Sequence, residues 1–566
     1  MDPVSRWIVA PAVVLLLTLI ACDRGEQVAT PEESVDESSP RSGGILYRRL
    51  DVDISTLNPV LFTSRYDLMV AGYLFTPMIH LDADLRPVPG LADSWEIEDE
   101  GRLYRFKLNA KATWSDGRPV RAADVLFTLR KIADPQSEAM QLGAGFELLD
   151  LTRTRAVDDK TVEIGFREGL ASQLIQFNYL LPIPEHVYGA GQFKTAFDGG
   201  RVVGNGPYTL VRRIAGKEVV VQKKKDWWGP KLPYLDTVWF KTLSSDSTAW
   251  NAAKIGEIDE TMVPSDTWLR EQNNPALKSR LQFLRFYGLA YNYIGWNARN
   301  PLFHDKRIRR ALGMCLDTRS IITNLYGGTA RAMAGHFLPE QWAYNPSTPV
   351  LEFDTSAAKQ TFTSLGWLDT NGDGVIDKDG RPFQFEMTIT AGSTQALAVA
   401  QSFQASLKQV GVQMDIATLE GATAIQRILA GNYQAVYLSW DLDPDPDPYP
   451  LFHSSQFPPR GSNFVYYSNP AADQLMERGR RELDVEKRRG IYQQLHLILA
   501  DDQPYTWVIQ PSLKWVINER VHGVKISRGW GLYIWYPAQF DWWVSAPPGG
   551  ERAQTSAAAA AATDSR

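Results

Sequence analysis

The chain has 566 residues, 44% of them hydrophobic, and a formal net charge of −6 at pH 7. This length predicts several domains or one large lobed body with substantial cores. The acidic balance argues against a nucleic-acid-binding protein, whose contact surface would be basic. Two cysteines are too few to build a disulfide framework.

The N-terminus starts with a short apolar run, residues 7–20, which follows Arg6 and leads into Cys22. A run of this length with a basic flank is typical of a secretory signal and is too short for a membrane span. Its ending, Leu-Ile-Ala-Cys, resembles a bacterial lipoprotein signal, which implies cleavage before Cys22 and lipidation of its thiol. A plain transmembrane anchor and an ordinary secreted protein are the alternatives.

Both ends of the mature chain are predicted to be disordered. Residues 22–42 contain six acids, two bases and no aromatic residue, and they are rich in Ser, Pro and Glu. Such a segment buries too little apolar surface to fold, so we expect an acidic tether that holds the body away from a lipid surface. The low-complexity residues 547–566 are expected to form a disordered tail.

Apolar periodicity predicts the helices and strands between these ends. The predicted helices cover residues 66–75, 121–132, 306–326, 354–365, 396–410 and 484–500. The predicted strands start at residue 45 and include residues 95–97, 103–108, 383–389, 412–416 and 435–440. Because the last three strands alternate with helices, the pattern indicates an α/β layer. Asp484 is a good N-cap for the last helix.

The motifs of common enzymes are absent. The seven histidines are scattered without zinc-ligand spacing, and there is no phosphate-binding loop and no G-x-S-x-G nucleophile elbow. Cys315 shares an apolar helix face with Ile308 and Leu312, so we expect a buried structural thiol. Together these observations argue against an enzyme.

The most unusual segment is residues 437–448, in which four aspartates alternate with leucine and proline after an apolar strand. The prolines hold the backbone extended, so the carboxylates cannot all fold back onto helix caps. The segment is either a ligand-facing acidic loop or a solvated series of Asx-turns.

Residues 369–380 imitate a calcium-binding loop. The candidate ligands are Asp369, Asn371, Asp373, Val375 and Asp377. Position twelve is Gly380, where a bidentate acid belongs, so the pattern is incomplete. An ordinary turn is favoured, and a weak Ca²⁺ site is the alternative.

Ordered landmarks across residues 44–543 resemble the extracellular solute-binding proteins of dipeptide, oligopeptide and nickel ABC importers. Single landmarks are weak evidence, but the complete set in family order is strong. The landmarks are residues 57–59 (LNP), 114–117 (WSDG), 122–125 (AADV), 204–208 (GNGPY), 226–228 (DWW), 233–236 (PYLD), 303–312 (FHDKRIRRAL) and 440–445 (WDLDPD).

This resemblance implies an α/β fold: a two-lobed periplasmic-binding-protein clamshell of the type II, large peptide-binding class, with an extra subdomain in lobe one. The chain crosses between lobes near residues 291–293 and 510–511, and the lobes close on ligand by a hinge. The implied domains are a signal peptide (1–21), a tether (22–42), lobe one (43–80, 201–290 and 511–546), its inserted subdomain (81–200), lobe two (291–510) and a tail (547–566).

In peptide-binding relatives, a carboxylate a few residues after a Trp pairs with the ligand's α-ammonium, in a strong charge-assisted hydrogen bond. The matching residue here is Asp443, with Trp440 packing beside it, although Asp441 or Asp445 could hold the role. Ser439 completes the set of candidate ligand-binding residues.

The resemblance therefore implies a non-enzymatic, lipid-anchored, extracytoplasmic component of an ABC importer, in the periplasm or at the cell surface. It would capture di- or oligopeptides and deliver them to the permease subunits, as a monomer, with no required cofactor and no nucleic acid. The alternatives are an oligosaccharide, nickel-chelate or other solute in the same fold, and a secreted hydrolase that uses two carboxylates of residues 441–447.

Overall fold

The computed structural model describes residues 39–198, 200–532 and 535–545. The predicted signal peptide, Cys22, the tail and most of the tether lie outside the described residues. The chain separates into two units, Met1–Ser39 and Pro40–Arg566, and the elements below belong to the second. Among the residues that the structure describes, no helix is both long enough and apolar enough to cross a membrane.

A large mixed sheet organises the molecule. Ten strands follow one path through it, and two more strands pair with its longest member. In order along the path, the strands are Gln413–Leu419, Gln384–Thr390, Ala435–Asp441, Ala290–Trp296, Tyr505–Asn518, Glu260–Met262, Ile45–Leu50, Thr237–Thr242, Glu218–Lys223 and Tyr208–Ile214. The two additional strands are Leu281–Tyr287 and Ala330–Ala332.

The longest strand, Tyr505–Asn518, joins the two halves of this sheet. Its first residues pair with Ala290–Trp296, whereas Ser512 to Asn518 pair with Leu281–Tyr287. Strand Tyr505–Asn518 therefore changes its pairing partner just after Pro511. Residues 288–289 connect the two partner strands at the same point. The exact lobe boundaries stay a prediction, but both connections lie side by side in the same sheet.

Four antiparallel strands form a second sheet, in which the strands predicted at residues 95–97 and 103–108 pair with each other. These strands are Ala92–Glu98, Leu103–Leu108, Thr161–Phe166 and Leu149–Ala156, in spatial order. Short two-stranded ladders pair Ile79–Leu81 with Pro87–Pro89, Asp377–Lys378 with Arg381–Pro382, and Val521–His522 with Trp543–Val544.

Helices cover the sheets at most of the predicted positions. The α-helices are Arg65–Leu74, Ala122–Ala133, Met140–Gly145, Gln173–Gln176, Glu185–Tyr188, Asp246–Lys254, Ser265–Glu271, Pro275–Lys278, Lys306–Met314, Thr318–Tyr326, Thr355–Ser364, Thr394–Gln409, Gly421–Leu429, Tyr449–Phe452, Pro470–Arg481 and Val485–Asp502. Single 3₁₀ turns lie at Asp99–Gly101, Pro135–Ser137, Pro301–Phe303, Ser454–Gln456 and Ala538–Asp541.

Asp484 caps the last long helix as predicted: its side chain accepts hydrogen bonds from the Glu486 and Lys487 N–H groups. The single helix predicted over residues 306–326 is wrong, because the structure has two helices separated by residues 315–317. Asp317 starts the second helix by accepting from the N–H of Ser320. A side chain that satisfies a free backbone donor in this way favours a new helix start over continuation of the first.

Cys315 is a buried structural thiol, as predicted. Its side chain is fully buried in the core that Ile308 and Leu312 share with the parallel strands. Burial raises the pKa of the thiol to about 12. A thiol that stays protonated is a poor nucleophile, so the residue acts in packing.

Candidate ligand-binding site

A cavity of about 760 Å³ separates two walls of the molecule. One wall comes from residues 84–104 and 171–175, which include the second sheet, and the other comes from residues 339–344, 444–445 and 483–493. Arg528 lines it from the C-terminal segment. A volume of this size lies within the range of about 300–1,000 Å³ found for small-ligand sites.

The acidic loop after strand Ala435–Asp441 lies beside the connection between the sheet halves. The Leu442 N–H donates to the Leu289 carbonyl at 2.6 Å, and the Leu289 N–H donates to the Gly529 carbonyl at 3.0 Å. Leu289 therefore joins two segments of the chain. Asp443 follows Leu442 in one segment and Arg528 precedes Gly529 in the other, so both residues lie next to this junction.

Asp445 is engaged by an arginine that the sequence did not reveal. The Arg488 guanidinium donates to both Asp445 oxygens, at 2.5 and 2.6 Å, and both side chains are almost fully buried. Burial opposes the charge of Arg488, but the carboxylates of Asp445 and Asp447 outweigh this effect and raise its pKa. Because both Asp445 oxygens already accept hydrogen bonds from Arg488, Asp445 is less suited to bind a ligand's ammonium group than a carboxylate without such a partner.

Asp447 faces inward as well. It accepts from the Tyr449 N–H at 3.1 Å, and the Arg480 Nε lies 3.5 Å from its other oxygen. Burial raises the pKa of Asp447. The Arg480 carbonyl accepts from the Ala171 N–H at 2.8 Å, so this corner touches the opposite wall of the cavity.

Asp443 differs from these two acids. Within the described part of the chain it has no hydrogen bond and no ion pair, and much of its surface is open to water. Burial nevertheless raises its pKa, and the charges of Asp445 and Asp447 raise it further.

A tyrosine from outside the acidic loop lies near Asp443. The pKa of Tyr179 is raised by burial and by the negative charge of Asp443, so this tyrosine lies close to the carboxylate. The next two residues, Pro444 and Asp445, line the 760 Å³ cavity. Asp443 is thus a carboxylate without a counter-charge at the edge of the space between the walls.

The other predicted ligand residues lie on strand Ala435–Asp441. Trp440 packs into an aromatic core, parallel to the rings of Tyr293 and Phe464, and its indole N–H donates to the Tyr505 hydroxyl at 3.2 Å. Ser439 and Asp441 are exposed on the opposite face, since side chains alternate along a strand. The structure therefore brings Asp443 and Asp445 to the cavity region and gives Trp440 a supporting position.

Sequence reasoning missed Arg488, although a signal was present. Arg488 lies three residues before Ile491, on the apolar face of the predicted helix. A cation on a buried helix face needs a partner, because an arginine is rarely buried unless it is paired. The position of Arg488 in the sequence therefore predicts a buried acidic partner, but it does not identify that partner as Asp445.

The calcium-like loop has its side-chain oxygens occupied by the protein itself. Asp369 accepts from the N–H groups of Gly372 and Gly374, at 2.7 and 3.0 Å, in the manner of an Asx-turn. Asp377 accepts from the Thr370 N–H and hydroxyl. Among the described residues, no three or more His, Cys, Asp or Glu side chains are grouped to hold a metal ion. Calcium binding at this loop stays a prediction.

We expect a chelator to leave the melting temperature of the protein unchanged, because the turn satisfies its own oxygens. Thermal unfolding followed by circular dichroism, with EDTA and then with excess CaCl₂, measures this directly. A ligand that binds only the folded state would raise the melting temperature with its concentration. A fall with EDTA that CaCl₂ reverses would establish the calcium site.

Comparison with known proteins is consistent with this geometry. The family model for bacterial extracellular solute-binding proteins, family 5 Middle, matches residues 86–463. The oligopeptide-binding protein AppA of Bacillus subtilis is 27% identical over 535 residues, which cover 92% of this chain and 96% of that protein. The nickel-binding periplasmic protein of Escherichia coli K12 is 24% identical over 468 residues, covering 80% of this chain and 86% of that protein.

The fold matches as well. The structure of Bacillus subtilis AppA in complex with a nonapeptide superimposes with a TM-score of 0.72 and 26% identity, over 90% of this chain and 100% of that one. The predicted α/β architecture of a periplasmic binding protein is therefore confirmed. The chain belongs to the bacterial extracellular solute-binding proteins of family 5.

Proposed function

We propose that this protein is the peptide-capturing component of an ABC importer. Relatives named for oligopeptide binding align over nearly the whole chain, and one of them was solved with a nonapeptide. The observation that carries the proposal is Asp443, a carboxylate without a partner among the described residues, at the edge of a cavity between two walls. A peptide's α-ammonium would supply the missing counter-charge.

Binding in this arrangement requires no bond to be made or broken. A peptide would enter between the walls, place its ammonium on Asp443 and bring the walls together by rotation at the paired sheet connections. The closed form would differ in shape from the open form, which lets a permease distinguish loaded from empty protein. The hydrolase alternative is weakened, because Asp445 and Asp447 face Arg488 and Arg480.

The test is to identify what the protein holds. Mass spectrometry of a denatured extract of the natively purified protein should find peptides, and calorimetric titration with di-, tetra- and nona-alanine should show binding by at least one of them. The peptides should be recovered intact after overnight incubation. Peptide cleavage would support a hydrolase, and recovery of a sugar or a nickel chelate, with no peptide binding, would overturn the proposed ligand class.

Membrane attachment through Cys22 is a separate prediction. Cys22→Ser should release the protein from the membrane fraction, because acyl chains would supply most of the membrane affinity. Immunoblotting of membrane and soluble fractions measures the shift. If the variant stays wholly in the membrane fraction as an unprocessed chain, residues 7–20 act as a membrane span.

A further inference from the structure

A second cavity, of about 470 Å³, lies apart from the cavity of about 760 Å³, and none of the described residues lines both. Four of its lining side chains carry aromatic rings: His80, Trp227, Trp228 and Tyr536. Its wall also includes the polar side chains of Asp93, Asn109 and Lys111. The volume falls within the range of about 300–1,000 Å³ found for small-ligand sites, so this cavity can hold a ligand of its own.

The two tryptophans are held in fixed orientations by one backbone oxygen. The indole N–H groups of Trp227 and Trp228 both donate to the Asn205 carbonyl, at 3.0 and 2.9 Å. Asn205 is fully buried, and its side-chain oxygen accepts from the Thr76 N–H at 2.9 Å. Because each indole N–H is already used, the ring surface that these half-buried side chains leave at the cavity is apolar.

His80 and Tyr536 form a second pair of rings in the same wall. They stack with centroids 4.5 Å apart and planes 19° apart. Burial lowers the pKa of His80 to about 3, so its imidazole is neutral at physiological pH. A neutral imidazole has one donor nitrogen and one acceptor nitrogen. Within the part of the chain that the structure describes, neither nitrogen has a hydrogen-bond partner.

The polar residues of the wall supply both donors and acceptors. The Asn109 amide donates to one Asp93 oxygen at 2.8 Å. Asp93 and Lys111 are exposed, and among the described residues neither takes part in an ion pair. The second Asp93 oxygen and the Lys111 ammonium are therefore available to a ligand.

This mixture of groups distinguishes between classes of ligand. A purely apolar ligand would cover Asp93 and Lys111 without giving either a hydrogen bond, which costs free energy. An anion would attract Lys111 but repel Asp93, and a cation would do the reverse. A hydroxyl group both donates and accepts, so it suits both residues. A sugar ring adds an apolar C–H face, which packs against an aromatic ring.

We propose that this cavity binds a saccharide, with C–H faces of its sugar rings on Trp227 and Trp228 and its hydroxyls hydrogen-bonded to Asp93 and Lys111. The site is separate from the proposed peptide site and does not depend on that function. A free oligosaccharide and the glycan of a cell wall present the same chemistry, so the test includes both kinds of sugar.

Saturation-transfer difference NMR with maltotetraose, cellotetraose and chitotetraose tests the proposal, with sorbitol as the control. At least one tetrasaccharide should bind, with the strongest saturation at its ring C–H protons. Sorbitol has hydroxyls but no rigid ring face, so it should give no signal. Preference for chitotetraose would indicate a cell-wall glycan, and preference for a glucose oligomer would indicate a free sugar. Failure of all three to bind would overturn the proposal.

The variant Trp228→Ala should weaken binding of the best tetrasaccharide about tenfold or more, because a sugar face loses its aromatic partner. Trp228→Phe should keep part of the affinity. Trp239→Ala is the matched control: Trp239 is also half-buried but lies outside the cavity, so the affinity should not change. Asp93→Ala should weaken binding too, and because Asp93 is exposed, this variant tests the site even if Trp228→Ala does not fold.

A last variant, Asp443→Asn, separates this inference from the proposed function. It should weaken peptide binding and leave saccharide binding unchanged. Loss of saccharide binding in Asp443→Asn, with no effect of Trp228→Ala or Asp93→Ala, would place the sugar in the 760 Å³ cavity and overturn the second site. If peptides do not bind but the saccharide still responds to Trp228→Ala and Asp93→Ala, the proposed function fails and the second site stands.

Discussion

Replacing Arg488 with methionine should lower the free energy of unfolding by about 3–5 kcal/mol, because it leaves a buried carboxylate without its counter-charge. The side chains of Arg488 and Asp445 are only 3% and 8% exposed, and the guanidinium contacts both carboxylate oxygens. Asp447 lies close enough to add repulsion once the cation is gone. Urea denaturation followed by tryptophan fluorescence measures the change.

Two further variants show whether the cause is the unpaired charge. The double variant Arg488→Met with Asp445→Leu should regain much of the lost stability, since a buried ion pair can be replaced by apolar groups at little cost. Arg489→Met, one position along the same helix, breaks an exposed pair with Glu486 and should cost at most about 1 kcal/mol. Equal losses at positions 488 and 489 would contradict the argument.

Local sequence signals predicted the elements that carry the site. Strand 435–441 and the helix starting after Asp484 follow from apolar periodicity and a capping side chain, and both are short-range patterns. The resemblance then placed them in one fold. These two elements position Asp445 and Arg488, so the framework of the site was predictable.

The partners of the acidic loop were not predictable, because they are set by tertiary packing. Asp445 and Arg488 are 43 residues apart in the chain, and nothing in the spacing of four alternating aspartates tells which one meets an arginine. Arg528 and Ala83 are brought together from opposite ends of the chain. The sequence therefore predicted an acidic ligand site, and the structure indicates that Asp445 and Asp447 are the carboxylates of this loop that face arginines.

The variant Asp443→Asn should lose roughly 2–5 kcal/mol of binding free energy for a peptide with a free α-amine. The substitution keeps the shape of the side chain and removes its charge, so the enclosed ammonium would have no counter-charge. Because the pKa of Asp443 is raised, its charge is lost at a less acidic pH than for an ordinary aspartate. Peptide affinity of the wild-type protein should therefore fall as the pH is lowered through that pKa.

Acetylating the peptide's amine should weaken binding to the wild-type protein by a similar amount, and the two losses should not add, because each removes the same interaction. Asp441→Asn is the matched control, since Asp441 is exposed on the strand just before the loop, and its effect should be small. Full additivity of the two losses would place the amine on another residue, with Asp441 or Asp445 as the next candidates. Equal affinity for free and acetylated peptides would remove the α-amine anchor altogether, and would favour a sugar or a metal chelate as the solute.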